Sequence, residues 1–215
     1  MPSTYRHFCL MARALETIGE RWSLLVVRDL LPGARRFTDL QRSLAGISPK
    51  LLTLRLRELE AAGVVEREQE QGRREVWYGL TAKGRDLAPA VEALTSWGLE
   101  HAQRPPVPGE AVHSQHVMSG LTIALNRRGS EPRKPVAWTI RFAPGGAYTL
   151  RFNGQRWESE PGEGSADLVV STTPEAWARF LMGADGERGI PTGDVHLEGA
   201  AAKVAEFAST FGGKR

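Results

Sequence analysis

The stretch from Gly33 to Thr81, GARRFTDLQRSLAGISPKLLTLRLRELEAAGVVEREQEQGRREVWYGLT, decides the fold of the amino-terminal half. It holds two helical patterns in close succession and then two short strand patterns. The second helical pattern begins at Ser48, whose hydroxyl can accept from a free amide of the first turn, with Pro49 at the first helical position. Gly63 supplies the left-handed residue that ends this helix. The order of elements predicts a helix-turn-helix followed by a hairpin.

The second helix of this motif has two unlike faces. Leu52, Leu56 and Leu59 recur at spacings of four and three, so they predict its buried side. The opposite side carries Lys50, Leu54, Arg57 and Ala61. One face is therefore predicted to join the core, and the other is predicted to remain free for a partner.

Positive charge is concentrated on the same motif. Between Arg28 and Arg57 there are seven basic and two acidic residues, although the net charge of the whole chain is only +3. Residues 105–215 hold 12 basic and 12 acidic residues, so the excess lies in the first half. A charge cluster alone is usually a solvated surface. On a helix-turn-helix it is the footprint that a phosphate backbone requires, and it predicts binding to double-stranded DNA.

The candidate DNA-binding residues form two groups. Arginine and lysine read guanine, and apolar or methyl-bearing side chains contact the thymine methyl, which suits the exposed helix face to base edges. The candidates there are Lys50, Thr53, Leu54 and Arg57, with Ser48 at the start of the helix. The candidates for phosphate or minor-groove contacts are Arg35, Arg36, Arg42, Arg73 and Arg74. Arg55 lies nearer the core edge of the helix, where it either braces the fold or contacts phosphate.

Four segments in order carry a family resemblance: IGERWSLLVVRDL, RRFTDLQRSL, ISPKLLTLRLRELEAAGVVER and LTAKGRDL. Together they resemble the HxlR family of bacterial winged helix-turn-helix transcriptional regulators, over about residues 8–100. The resemblance implies a homodimer paired through its terminal helices, with one recognition helix per subunit in successive major grooves and a wing beside each. Repression is the commoner outcome in that family.

Helical patterns flank the motif on both sides. Upstream, RWSLLVVRDLL has a predicted buried stripe at Trp22, Leu25, Val26 and Leu30. Downstream, a helix is predicted from about Lys83 to Gln103. Its apolar seam consists of Leu87, Val91, Leu94 and Leu99. Such a seam favours dimerisation, and packing within its own subunit is the alternative.

Cys9 is the single cysteine of the chain, which excludes an internal disulfide and fits a reducing compartment. HxlR-type regulators often carry a cysteine near this position, commonly followed by proline, and some respond to oxidants or electrophiles through it. Leu10 takes the place of that proline here. The resemblance implies a redox-sensing role for Cys9, and inert packing is the alternative.

A connector divides the chain. QRPPVPGE, residues 103–110, has three prolines and a glycine, which predicts two domains at 1–104 and 105–215. The 41% hydrophobic content is that of a globular protein. No apolar stretch reaches about eighteen residues and no signal-peptide core is present, so we expect a cytoplasmic protein with no membrane partner.

Residues 105–215 predict an α+β domain. A helix around 112–126 precedes three alternating strands, VAWTIRF, GAYTLRF and QRWESE, which should form a meander. Next come ADLVVSTTPEAWARFLMG, a strand that runs into a helix, and GDVHLEGAAAKVAEFASTF, a strand and a closing helix. These last two segments resemble the sterol carrier protein 2-like (SCP2-like) domain. The predicted fold class is therefore α+β, a winged helix-turn-helix domain followed by an SCP2-like domain.

The SCP2-like resemblance implies an apolar tunnel and hence an apolar small-molecule ligand. The ligand-binding candidates are Trp138, Ile140, Phe142, Tyr148, Leu150, Trp177, Phe180, Leu181, Met182, Phe207 and Phe211. Most of them are equally well explained as ordinary core, since a small α+β domain must bury such residues.

Catalytic and metal motifs are lacking in the sequence. His113 and His116 lie three apart on a predicted helix, but no third ligand follows at metal spacing, so exposed or capping histidines are expected. There is no phosphate-binding glycine loop, nucleophile elbow or paired carboxylate motif. We therefore expect no catalytic residue, no metal and no cofactor.

The sequence thus predicts a dimeric DNA-binding transcriptional regulator, not an enzyme, whose affinity for DNA responds to an apolar small molecule. Two alternatives remain at this point. One is a redox-responsive regulator that senses through Cys9 and has a ligand-free second domain. The other is a lipid carrier or binding protein.

Overall fold

The computed structural model describes residues 5–6, 8–69, 75–129, 132–183 and 193–211. The chain divides into two compact units, Met1–Ala93 and Leu94–Arg215. Each unit has a separate hydrophobic core.

The first unit is a winged helix-turn-helix, as predicted. Its elements are α1 (Leu10–Ile18), α2 (Ser23–Leu30), β1 (Arg35–Arg36), α3 (Phe37–Ser43), α4 (Pro49–Ala61), β2 (Val65–Glu68), β3 (Trp77–Leu80), α5 (Ala82–Arg85) and the start of α6 (Ala88–His101). The three strands form an antiparallel sheet in the order β1-β3-β2. The two helices of the motif are α3 and α4, and β2 and β3 form the wing.

Helix α4 is held at both ends and along one face. The Ser48 hydroxyl accepts from the Leu51 amide at 3.3 Å, which confirms the predicted cap. Gly63, which follows the helix, has φ +68, a conformation that other residues rarely adopt. The buried face is as predicted, and it comprises Leu52, Leu56 and Leu59, each at most 2% exposed. Burial of each leucine stabilises the fold by about 1.5–3 kcal/mol, so the orientation of α4 is well fixed.

The predicted stripe of α2 is wrong in part. Trp22 has φ +83 and precedes the helix, which starts at Ser23. The buried residues of α2 are Ser23, Val26, Val27, Asp29 and Leu30, and all of them except Asp29 follow the i, i+3, i+4, i+7 spacing from this start. Leu25 is consequently turned outward and is 39% exposed.

The helix predicted from about Lys83 to Gln103 is interrupted. Helix α5 ends at Arg85 and α6 begins at Ala88. Pro89 explains the break, because a proline ring clashes with the carbonyl four residues earlier, here that of Arg85. The predicted seam is divided as well: Leu87 and Val91 pack on the core of the first unit, and Leu94 is 54% exposed.

The second unit is the predicted α+β domain. Its elements are the remainder of α6, α7 (Ser114–Arg128), β4 (Val136–Phe142), β5 (Gly146–Phe152), β6 (Trp157–Pro161), β7 (Leu168–Thr172), α8 (Pro174–Met182), β8 (His196–Glu198) and α9 (Ala201–Phe211). The sheet has the order β6-β5-β4-β7-β8, which includes the predicted meander, and β7 runs parallel to β4. Asn126 ties α7 to the sheet edge, since its amide accepts from the Trp157 N–H at 2.7 Å and donates to the Trp157 carbonyl at 3.0 Å.

Candidate nucleic-acid interface and apolar cavity

The outward face of α4 carries the predicted base-contacting residues together. Lys50, Leu54 and Arg57 are exposed, and Leu54 is 45% exposed. Thr53 is half-buried and its hydroxyl donates to the Pro49 carbonyl at 2.9 Å. In the part of the chain that the structure describes, neither Lys50 nor Arg57 forms an ion pair. Within those residues no carboxylate compensates their charge, which supports their availability to an anionic partner.

Arg36 is oriented at the base of the wing. Its guanidinium lies 2.8 Å from the Glu75 carboxylate and 4.8 Å from the centroid of the Trp77 ring. A cation held over an aromatic face in this way has a fixed direction. The neighbouring Arg35 is half-buried and pairs across the sheet with Tyr78.

Arg42 is more exposed than Arg36, the other predicted phosphate contact that forms an ion pair. Its side chain is 77% exposed and lies 3.4 Å from Asp39, one turn earlier on α3. Exposed pairs of this kind contribute little to stability and exchange readily for another anion. Arg73 and Arg74, the two predicted contacts at the tip of the wing, lie outside the described residues.

Arg55 has a bracing position. It is 9% exposed, its Nη2 lies 3.3 Å from Glu20, and its Nη1 donates to Glu58 one turn later on α4. Glu20 lies in the turn between α1 and α2, so the guanidinium connects α4 to that turn. Of the two roles left open by the sequence, this geometry favours the brace, and a phosphate contact stays a prediction.

Sequence reasoning did not select Arg67. This residue is exposed on β2 and faces Tyr78 across the strand pair. It lies outside the basic cluster of Arg28 to Arg57, between the acidic residues Glu66 and Glu68. No local pattern identifies it, because burial does not alternate along β2: Val65 is buried and the next three residues are exposed.

A cavity of about 510 Å³ lies in the second unit. Its walls come from α6, the connector, α7, α8 and the end of α9, with Leu99, Val117 and Leu121 among the apolar lining residues. Four of the predicted ligand-binding residues line it: Phe180, Leu181, Met182 and Phe211.

The other predicted ligand-binding residues do not line this cavity. Trp138, Ile140, Leu150, Trp177 and Phe207 are 0% exposed, Phe142 is 5% exposed, and Tyr148 packs against the same core. The Trp138 ring lies 5.1 Å from Trp157 and 5.0 Å from Phe207, in tilted and edge-on contacts typical of packed aromatic cores. The structure therefore places these seven in the hydrophobic core of the second unit.

The connector forms a polar wall of the cavity. The Arg104 guanidinium donates two hydrogen bonds to the Glu110 carboxylate, at 2.7 and 2.8 Å, and Glu110 also accepts from the Val107 amide at 3.1 Å. The hydrogen bonds from Arg104 and then from Val107 lower the pKa of Glu110 below its ordinary value. The same pairing raises the pKa of Arg104.

The two histidines line the cavity too. His113 and His116 are half-buried and their rings meet edge-on at 5.3 Å. His113 occupies the cap position of α7, but its side chain makes no capping bond. The expectation of exposed histidines is therefore wrong. Among the described residues, no group of three or more histidine, cysteine or carboxylate side chains is placed to hold a metal ion.

Cys9 is half-buried at the position just before α1 and forms no disulfide. The nearby Arg13 guanidinium lies over the Phe8 ring, 5.0 Å from its centroid. None of the described helices combines the length and apolar character that crossing a membrane requires.

An exposed, charged second helix beside a two-stranded wing defines the class of winged helix-turn-helix proteins. The HxlR-like helix-turn-helix family model matches residues 17–105, and the SCP-2 sterol transfer family model matches residues 127–212. The chain belongs to the HxlR-like helix-turn-helix family, and its second unit carries an SCP-2 type domain.

Similar proteins share mainly the first half. An uncharacterized HTH-type transcriptional regulator of Mycobacterium bovis is 44% identical over 101 residues, which are 46% of this chain and 62% of that relative. Another from Synechocystis is 39% identical over 93 residues, covering 43% of this chain and 69% of the relative. The solved structure of the redox regulator HypR in its reduced form is 35% identical and covers 44% of this chain and 95% of that one, with a TM-score of 0.42. The chain thus spans less than two thirds of the length of the Mycobacterium relative.

Proposed function

We propose that this protein is a transcriptional regulator that binds double-stranded DNA as a homodimer and whose affinity for DNA responds to an apolar small molecule in the second unit. The observation that carries the proposal is the outward face of α4, where Lys50 and Arg57 are exposed and make no ion pair among the described residues. Membership of the HxlR-like family and the names of the relatives support it.

The rigidity of α4 supports sequence-specific binding. Contacts to base edges discriminate between sequences only when the side chains are presented in a fixed geometry. The buried leucines Leu52, Leu56 and Leu59 and the Ser48 cap fix the helix from the opposite side. We infer that Lys50, Leu54 and Arg57 read bases while Arg35, Arg36 and Arg42 position the protein on phosphates.

Exposed apolar side chains on the terminal helices support the homodimer. Phe8, Leu10 and Met11, at the start of α1, are 81%, 73% and 66% exposed. Leu94 and Trp97, on α6, are 54% and 60% exposed. Water-exposed apolar side chains on this scale are typical of surfaces that bind a partner. A second copy is the partner expected for an operator read by two recognition helices.

The experiment is selection of a duplex by the full-length protein from a random-sequence DNA library, followed by fluorescence-anisotropy titration of the selected duplex. We expect Arg57→Ala to weaken binding by about 1–3 kcal/mol and to relax the preference at one base pair. The matched control is Arg133→Ala, which removes the same charge from an exposed site in the second unit. Equal losses in the two variants, or no selected sequence, would contradict the proposal.

The ligand response is tested on the complex with DNA, and the subunit count on the free protein. A ligand can change the affinity for DNA only by the ratio of its affinities for the two states of the regulator. Sedimentation of the free protein should give a dimer, and Trp97→Arg should shift it toward the monomer. A monomeric wild-type protein that still binds two half-sites would remove the dimer from the proposal.

A further inference from the structure

The cavity of about 510 Å³ in the second unit is lined by both apolar and polar residues, and all of them belong to that unit. We propose that it is the binding site for an apolar small molecule that carries one anionic group, and that Arg128 binds the anion. The inference rests on the proposed function in that this molecule would be the effector. It assigns the site to the helix-lined cavity rather than to the residues around the sheet.

The volume and the walls fit a small organic molecule. About 510 Å³ lies within the range of about 300–1,000 Å³ that is typical of ligand pockets. Leu99, Leu121 and Leu181 are among the aliphatic side chains that line it, and Phe180 and Phe211 contribute aromatic surface. The sheet side of the unit offers less space, because its large side chains, Trp138 and Phe207 among them, are fully buried against one another.

Two glycines keep the cavity open. Gly98 on α6 and Gly120 on α7 both line it, and a Cβ added to either would meet nothing within 4 Å. Neither glycine has a positive φ, so neither is required by the backbone. Glycine inside a helix costs about 0.5–1 kcal/mol relative to alanine. Packing therefore gives no reason for glycine at these sites, whereas an occupant between the two helices does.

The charge of the lining favours an anion. Arg104 and Glu110 neutralise each other through their paired hydrogen bonds. Arg128 also lines the cavity, and within the described residues no carboxylate pairs with it. The preceding residue, Arg127, does not line the cavity and is paired with Glu100 at 3.1 Å. An exposed arginine in an otherwise largely apolar lining, with no carboxylate partner among the described residues, favours a ligand with one negative end.

Helix α6 lines part of the cavity and also extends into the first unit. Helix α6 runs without interruption from Ala88 to His101, across the division between Ala93 and Leu94. Thr95, Gly98 and Leu99 of this helix line the cavity. A ligand that contacts α6 therefore acts on a helix that also carries the exposed Leu94 and Trp97 of the proposed dimer surface.

The test is isothermal titration calorimetry of the full-length protein with decanoate and with decan-1-ol, which share a chain and differ in charge. We expect decanoate to bind once per subunit and more tightly than the alcohol. Arg128→Gln should weaken decanoate by about tenfold or more, since a charge-assisted contact is lost, and should leave decan-1-ol unchanged. The matched control Arg127→Gln should affect neither.

The second part of the test fills the cavity with a side chain. Gly120→Leu places a side chain in open space on a helix that gains propensity, so the variant should fold and should lose both ligands. The matched control Ser119→Leu adds the same side chain at the exposed neighbouring position and should retain both. Retained binding in Gly120→Leu, no binding to the wild type, or equal loss in the two leucine variants would overturn the assignment. Conversion of a dimer to a monomer by Gly120→Leu would overturn it in favour of a second copy as the occupant.

DNA titration of the same samples separates this inference from the proposed function. If the selected duplex binds and decanoate does not, the site is wrong while the DNA-binding function stands. If decanoate binds at this site and the affinity for DNA is unchanged, the site stands and the effector role falls. If decanoate changes the affinity of the wild type for DNA but not that of Gly120→Leu, both the site and the effector role stand.

Discussion

The exposed face of α4 and two exposed ion pairs of the second unit use cationic side chains in opposite ways. Lys50 and Arg57 make no ion pair among the described residues. In the second unit Arg141 binds Glu163 at 2.9 Å and Arg156 binds Glu158 at 2.7 Å, and the hydrogen bonds that Arg141 donates to Glu163 raise the pKa of Arg141. A surface meant for a polyanion benefits from cations without local carboxylates, because each neutralised phosphate releases counterions.

The interiors of the two units differ as well. The first core is mainly aliphatic, with leucine and valine as its common side chains. The second core contains the fully buried Trp138 and Trp177 and a cluster of phenylalanine rings. If the first unit binds DNA and the second binds a ligand, damage to the second core should change stability while DNA binding by folded protein persists.

The largest expected effect is on the second core. Trp138→Ala should reduce the free energy of unfolding by about 3–5 kcal/mol, because it removes a fully buried indole. Denaturant titration followed by tryptophan fluorescence measures the loss. Val107→Ala is the control, since Val107 is 52% exposed and should affect unfolding little. If Trp138→Ala abolishes DNA binding while the first unit is still folded, DNA binding depends on the core of the second unit.

Two arginines of α4 sharpen the comparison further. Arg57→Ala should leave the free energy of unfolding unchanged and weaken DNA binding by about 1–3 kcal/mol. Arg55→Ala should do the reverse: it removes the ion pairs to Glu20 and Glu58 and should cost about 1 kcal/mol of stability, since both carboxylates are half-exposed. Thermal unfolding measures the stability of both variants, and DNA titration measures their affinity for DNA. A base preference altered by Arg55→Ala would return that residue to the DNA interface.

Local patterns predicted those parts of the fold that depend on neighbouring residues. The spacing of Leu52, Leu56 and Leu59 gave the buried face of α4, and the alternation in VAWTIRF and GAYTLRF gave β4 and β5 with their bounds. The phase of α2 was not predictable in this way, because it depends on the left-handed conformation of Trp22. The break at Pro89 follows from the sequence, but the apolar spacing continues through it and predicts one uninterrupted helix.

The cavity could not be predicted from the sequence. Its walls join α6, the connector and α7 to α8 and α9, which are distant in the chain and share no pattern. Apolar character alone selected candidates such as Trp138 and Ile140, which the structure places in the core. Lining residues such as Gly98 and Gly120 are distinguished by the absence of a side chain, and that property acquires meaning only when both helices are in position.

A smaller effect should separate phosphate contacts from base contacts within the first unit. Arg36→Ala should weaken DNA binding about equally for all sequences and reduce the slope of log K against log salt by about 1. Trp77→Ala should produce part of this loss, because the Trp77 ring lies under the Arg36 guanidinium. DNA titrations at several salt concentrations test both. A change in base preference with an unchanged slope would place Arg36 on a base edge instead.

The smallest expected effect concerns the connector of the second unit. The hydrogen bonds from Arg104 and Val107 lower the pKa of Glu110, so NMR titration of its carboxyl carbon should give a midpoint below that of an unpaired glutamate. Arg104→Ala should move the midpoint upward. A depressed pKa means that the stabilisation is present above the pKa of the unfolded chain and is lost as the pH falls through the folded value.

The Arg104–Glu110 ion pair should therefore persist at neutral pH and be lost only in acid. Glu110→Gln should reproduce the acid state at neutral pH, and the binding of decanoate to this variant can be compared with binding to the wild type. Since Arg104 would then have lost its carboxylate partner and Arg128 lines the same cavity, the lining would gain positive charge, and decanoate should bind at least as tightly as before. Weaker binding would mean that the Arg104–Glu110 ion pair, rather than the charge of the lining, holds the ligand. The second unit would then depend on this ion pair for function as well as for structure.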